Sequence, residues 1–134
     1  MLSEIPAPAE WGGVVKTLVI LDDLELKGMS KEQKRNLDRL VGYVSTHKNI
    51  SVILCSQDPF NVPPIVRRCS NLWILYEGTD RDSVAQLSRK AGYTKEQFDI
   101  LFDKCTEFHD SIWLDKTSKS PYPLRKNGFE IIKL

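Results

Sequence analysis

Three apolar runs, each closing on a polar cluster, organise the first two thirds of the chain. Lys16-Thr17-Leu18-Val19-Ile20-Leu21 stops at Asp22-Asp23. Ile50-Ser51-Val52-Ile53-Leu54-Cys55 stops at Ser56-Gln57-Asp58, and Asn71-Leu72-Trp73-Ile74-Leu75-Tyr76 stops at a segment from Glu77 to Asp80. Near-continuous apolar runs of this length predict strands buried on both faces, as in a parallel sheet. Between the first two runs the period changes. Ser30-Lys31-Glu32-Gln33 has the form of a capping box, and Leu37, Leu40, Val41 and Val44 follow at helical spacing, predicting an amphipathic helix to about Thr46.

Further signals fill in the rest. Pro59, Pro63 and Pro64 predict a loop, with one helical turn over Ile65 to Cys69. Asp80 or Ser83 caps a helix toward Ala91 that Gly92 ends, and Thr94 to Gln97 opens another helix to roughly Thr106. Ser111 to Asp115 reads as a strand, and Asn127-Gly128 as a two-residue hairpin turn. Strand–helix–strand–helix alternation predicts an α/β three-layer fold with parallel strands and right-handed crossovers. The 134 residues are expected to form one domain: an irregular lead-in over 1–13, a core over 14–92, and a helix-plus-hairpin tail over 93–134.

Composition narrows the classes. A net charge of +1, from 19 basic and 18 acidic side chains, excludes a polycation that coats nucleic acid by charge alone. No apolar stretch is long enough to span a bilayer, so no membrane is expected as a partner. Cys55, Cys69 and Cys105 are widely separated, indicating neither a zinc site nor a disulfide framework and fitting an intracellular compartment.

Chemistry is expected at the carboxyl ends of the strands, where open α/β sheets gather ligands. An acid pair there can hold Mg²⁺ through Asp22, often via water, while Asp23 polarises an attacking water; equally, the two acids could simply cap the following turn. Gln57 could touch both a γ-phosphate and that water, or cap its loop. Arg67 and Arg68 could supply an arginine finger to a neighbouring subunit, or be surface or DNA-backbone contacts. Lys31, Lys34, Arg35 and Arg39 read as a solvated helix face. Arg125 and Lys126 form a small basic hairpin tip able to reach a phosphate, Trp73 and Trp113 are expected in the core, and His47 is expected to end its helix. Nowhere is there a GxxxxGK[ST] loop, so the chain alone is not expected to hydrolyse ATP well.

The succession TLVILDDL (17–24), amphipathic helix, HKNISVILCSQDPF (47–60) and RRCSNLWILYEGTDRD (67–82) resembles the FtsK–HerA superfamily of P-loop ATPases. Within it, the likeness is to the genome-packaging ATPases of poxviruses and other large DNA viruses, over roughly residues 14–92. The resemblance implies a partial RecA-like P-loop fold, from Walker B onward, with a mainly parallel sheet flanked by helices and a C-terminal β-hairpin. It implies Walker B at Leu18 to Asp23, a sensor at Gln57, and a finger at Arg67 or Arg68. It also implies ATP and Mg²⁺ as cofactors, a ring, usually hexameric, pulling double-stranded DNA toward a capsid or portal vertex, and a place in the host cytoplasm or virion. The Walker A half is then expected in cis or in trans, from a longer chain, a split gene or a partner. Asp23 stands where many members carry Glu. The other readings are an AAA+ or helicase-like piece, a non-catalytic oligomerisation module, and a metal nuclease using Asp22, Asp23 and Asp58.

Overall fold

In a computed structural model, which describes residues 14–105 and 107–133, the first two apolar runs form β1 (Thr17–Leu21) and β2 (Ile50–Leu54). The lead-in over 1–13 and the helix end expected at Thr106 lie outside the described residues. Contacts divide the chain into two compact units, one ending at Cys69 and the other beginning at Ser70.

In the first unit, β1 and β2 pair in parallel, from Thr17 opposite Ile50 to Leu21 opposite Leu54. The connection is helical: α1 (Lys31–Arg39) widens into a π-helical turn over Leu40–Val44 and closes as α2 (Ser45–His47). The expected capping box is present. Gln33 N–H donates to the Ser30 hydroxyl at 3.2 Å, and Ser30 N–H donates to Gln33 Oε1 at 2.8 Å. In the π turn, Ser45 N–H donates back to the Leu40 carbonyl. The His47 ring ends the helix, 2.9 Å from the Tyr43 carbonyl through Nδ1 and stacked on the Tyr43 ring.

The predicted helical stripe is the covered one: Leu37, Leu40 and Val44 are buried. Leu40 and Val44 pack with Ile50, Val19 and Val52 near the start of the strands. Nearer their ends, Leu37, Leu26, Met29, Leu21 and Leu54 pack with Val62 and Val66 of the segment that carries α3 (Pro64–Cys69). Gly42 lets that helix pair approach, since a Cβ there would lie 3.2 Å from Ile65 Cδ1.

Among the described residues only one face of this sheet is covered, and that corrects the expectation of strands buried on both sides. Leu18 and Ile20 of β1 are 56% and 60% exposed, and Ile53 of β2 is 48% exposed. A continuous apolar run shows that both faces prefer cover; it cannot show that both have it.

The second unit corrects the parallel sheet further. The third apolar run is a strand, β3 (Leu72–Leu75), but it pairs antiparallel with β4 (Ile112–Asp115). β5 (Leu124–Lys126) and β6 (Glu130–Ile131) continue the sheet in the order β3-β4-β5-β6, antiparallel throughout. The sheet content is therefore one parallel pair and a four-stranded antiparallel sheet, a mixed α/β architecture rather than a mainly parallel one. The expected hairpin is β5–β6. Asn127 and Gly128 both have positive φ, 51° and 83°, but Lys126 pairs with Glu130, so three residues, Asn127 to Phe129, connect the strands rather than the two expected.

One face of this sheet is packed against α4 (Arg81–Ala91) and α5 (Lys95–Cys105). Leu75, Ile112, Leu114 and Leu124 from the strands meet Val84, Leu87, Phe98, Leu101 and Phe102 from the helices. Asp80 caps α4 by accepting from Ser83 N–H at 3.0 Å, and Gly92 ends it with φ of 81°. The Thr94 hydroxyl accepts from Gln97 N–H at 3.2 Å to open α5. Arg81 of α4 pairs with Asp103 of α5, and its guanidinium lies over the Phe102 ring.

Candidate functional site

Parallel pairing sets where the chemistry of the first unit can gather. Because Leu21 lies opposite Leu54, the residues that follow both strands emerge at the same end of the sheet. The Cys55 N–H donates to the Leu21 carbonyl at 2.9 Å, extending the ladder one residue past β2. Asp22-Asp23 and Ser56-Gln57 are thus brought to one end of the β1–β2 pair, while the third expected cluster, Glu77 to Asp80, follows a strand of the other sheet.

At the β1–β2 rim Asp22 meets a neighbour that the sequence reading did not single out. Desolvation first, then the negative charge of the neighbouring Asp22 and its hydrogen-bonding to the thiol, push Cys55 above its ordinary pKa. Only the register of two strands reveals the pair, because 33 positions separate the residues in sequence (55 − 22).

Asp23 is exposed and sits at φ of 51°, in the left-handed region where Asp and Asn are the least penalised residues with a side chain. The chain turns sharply there. Leu24 re-enters the core within one residue, leaving the Asp23 carboxylate in solvent beyond the strand. Gln57 is exposed too, and its amide has no hydrogen-bond partner among the described residues. The loop-capping role open to it belongs instead to its neighbours. Asp58 accepts from Phe60 N–H at 2.9 Å and from Asn61 Nδ2 at 2.8 Å, and the Ser56 hydroxyl donates to the Asp58 carbonyl at 2.9 Å.

Each oxygen of Asp58 thus accepts one hydrogen bond from its own loop. No three His, Cys, Asp or Glu side chains are grouped to hold a metal among the described residues. Asp80, in the polar cluster after β3, is likewise occupied as a helix cap.

Arg67 and Arg68 form the last turn of α3, the single helical turn expected there. Val62 and Val66 anchor this segment in the cluster that contains Leu21 and Leu54, the last residues of both strands. Arg67 is partly covered and Arg68 is exposed. Both thus belong to a helix packed at the rim end of the first unit.

In the second unit, the basic hairpin tip resolves into two different residues. Lys126 is engaged with Asp110 at 2.6 Å, and Asp110 also accepts from Asn127 Nδ2 at 2.7 Å. Those bonds, Lys126 first, hold the Asp110 carboxyl below the usual range. Arg125 points to the opposite side of the sheet, as does Trp113, its partner in register. Trp113 therefore departs from the expected core position, whereas Trp73 packs against the core.

Among the described residues no helix is long and apolar enough to cross a membrane. No family model, no curated protein and no solved structure matches this chain.

Proposed function

We propose that the chain is the Walker B half of a RecA-like P-loop ATPase that drives double-stranded DNA into a viral capsid, completed by a Walker A half in cis or in trans. The observation that carries this reading is the parallel register of β1 and β2, which sets Asp22, Asp23 and Gln57 at one end of one sheet. The bare face of Leu18, Ile20 and Ile53 supports it. Parallel strands are ordinarily covered on both faces, and two strands alone make a marginal sheet. A P-loop half would add both the missing layer and further strands.

Mg²⁺ takes oxygen ligands, keeps several waters, and is commonly held by one or two carboxylates together with substrate phosphates. A single exposed carboxylate at Asp22 fits that donor set. Bound with ATP, the ion would neutralise charge on the phosphate oxygens.

Asp23 then accepts a hydrogen bond from the attacking water and aims it. Its position beyond the strand end gives the carboxylate reach past Asp22. Gln57, with an uncommitted amide, can donate to a γ-phosphate oxygen while accepting from the same water. Arg67 or Arg68 reaches the site of an adjacent subunit in a ring. The chain contributes no phosphate cradle of its own, so turnover belongs to the assembled protein.

The test is ATP hydrolysis by this chain assembled with a Walker A-bearing half, with and without duplex DNA. Asp23→Asn keeps the left-handed turn and the shape of the side chain. It is expected to retain nucleotide binding and lower turnover by about 100-fold or more. Hydrolysis at an undiminished rate in that variant overturns the assignment.

A further inference from the structure

The outer face of the antiparallel sheet carries a groove that the ATPase reading does not use. Register places one residue from each strand in a row across it: Ile74, Trp113, Arg125 and Ile131. Beside this row, Leu72 lies opposite Asp115. A cavity of about 300 Å³ opens there, lined by Trp113, Arg125, Asp115, Thr117, Asn71 and Leu72, with Gly128 at one end. That volume is at the small end of ligand sites, which run from about 300 to 1,000 Å³.

Two of the lining side chains, Trp113 and Asp115, are held in place by hydrogen bonds. The six-membered ring of Trp113 rests on the hairpin turn: three of its atoms lie 3.2 Å from where a Cβ on Gly128 would sit. Its indole N–H donates to the Ser111 hydroxyl at 2.9 Å, which fixes the ring plane. Asp115 accepts from Thr117 N–H, the Thr117 hydroxyl and Ser118 N–H, at 2.9, 2.8 and 3.1 Å, all on Oδ1. Its second oxygen, Oδ2, is left uncommitted. Arg125 makes no hydrogen bond or close ion pair among the described residues. Phe129, next to Gly128 at the hairpin tip, is 78% exposed and serves no core.

We propose that this groove binds a guanine nucleotide, with the base against Trp113, its donor edge on Asp115 and its phosphate on Arg125. The charges select that ligand. A carboxylate is an acceptor only, and guanine presents two adjacent donors on its Watson–Crick edge, N1–H and the N2 amino group. Adenine and cytosine offer an amino group beside a ring acceptor, which would face the carboxylate unfavourably. A fixed indole supplies a stacking surface, and a guanidinium suits phosphate geometry. The three bonds onto Oδ1 also keep Asp115 ionised, with its carboxyl held below the usual range. The nucleotide could be free or part of a single strand. The site is separate from the β1–β2 rim, so it stands or falls independently of the ATPase assignment.

Titration of the 134-residue chain with GMP, AMP and CMP, followed through the Trp113 indole N–H signal by NMR, tests this. GMP is expected to shift that signal with an affinity roughly fivefold or more above AMP and CMP, the size of one well-made polar contact. Arg125→Gln should weaken GMP binding roughly fivefold or more. Asp115→Asn, which retains an oxygen for the Thr117 turn, should erase the preference for GMP over AMP. An oligoguanylate binding much more tightly than GMP, with an affinity that falls as salt rises, would identify a single strand as the source. Equal binding of the two would identify the free nucleotide. No shift with either, in a chain whose spectrum remains folded, overturns the proposal. So does GMP binding that is indifferent to both substitutions.

Discussion

The two units solve the same problem, burying one face of a sheet, with opposite degrees of self-sufficiency. The second unit pairs its strands antiparallel and closes a core of nine buried residues drawn from β3, α4, α5, β4 and β5. Among the described residues the first unit has two parallel strands, one covered face, and three large exposed apolar side chains on the other. Antiparallel sheets are stable with one wet face, while parallel ones are ordinarily sandwiched. The contrast teaches that the second unit is built to stand on its own sheet, and that the first presents a surface suited to a further layer.

The largest effect separating the two should come from the closed core. Phe98→Ala removes a fully buried ring from the second unit and is expected to cost about 3–5 kcal/mol, enough to unfold it. Urea denaturation followed by NMR would show signals of residues after Ser70 lost first; simultaneous loss in both units would merge them into one cooperative block. Loss of a helix cap comes next. Asp80→Ala leaves the Ser83 N–H without its acceptor and should lower stability by about 1 kcal/mol, again felt first in the second unit.

A smaller effect concerns acid. Asp110 is held below the usual carboxyl pKa by Lys126 and then Asn127. Its contribution is therefore complete above the unfolded value of about 3.9 and is lost as pH falls through the lower folded value. Asp110→Asn should flatten the acid limb of the second unit's melting curve, and an unaltered limb would assign acid sensitivity elsewhere. The smallest effect tests the bare face. Ile20→Thr keeps strand propensity on an exposed position and should change stability by no more than about 0.5 kcal/mol. Val19→Thr, on the covered face of the same strand, should cost about 1–3 kcal/mol by burying a hydroxyl. Equal costs at the two positions would mean that both faces are covered.

What could be read from sequence was whatever is encoded locally. The Ser30–Gln33 box, the Asp80 and Gly92 caps, the Thr94–Gln97 start and the Asn127-Gly128 turn each depend on residues within four positions, and each is present. The apolar runs identified three strands but not their partners. Leu72 to Leu75 reads the same whether its neighbour is a parallel strand or Ile112 to Asp115, some 40 residues on (112 − 72). Exposure failed for the same reason, since Leu18 and Ile20 are as apolar as their buried neighbours. At the candidate site, strand order alone suggested a shared rim for Asp22 and Gln57. The Cys55 contact and the occupation of Asp58 depended on register and loop geometry, which no spacing rule supplies.

The left-handed backbone at Asp23 has a consequence for which residues that position tolerates. Glu would preserve the charge but carries a longer side chain that rarely adopts positive φ. Gly and Asn would preserve the turn but not the carboxylate. In a saturation library scored separately for folded yield and for the proposed ATP hydrolysis, position 23 should rank Gly and Asn beside Asp in the first screen. In the second, Asp should stand apart, with Glu the nearest rival.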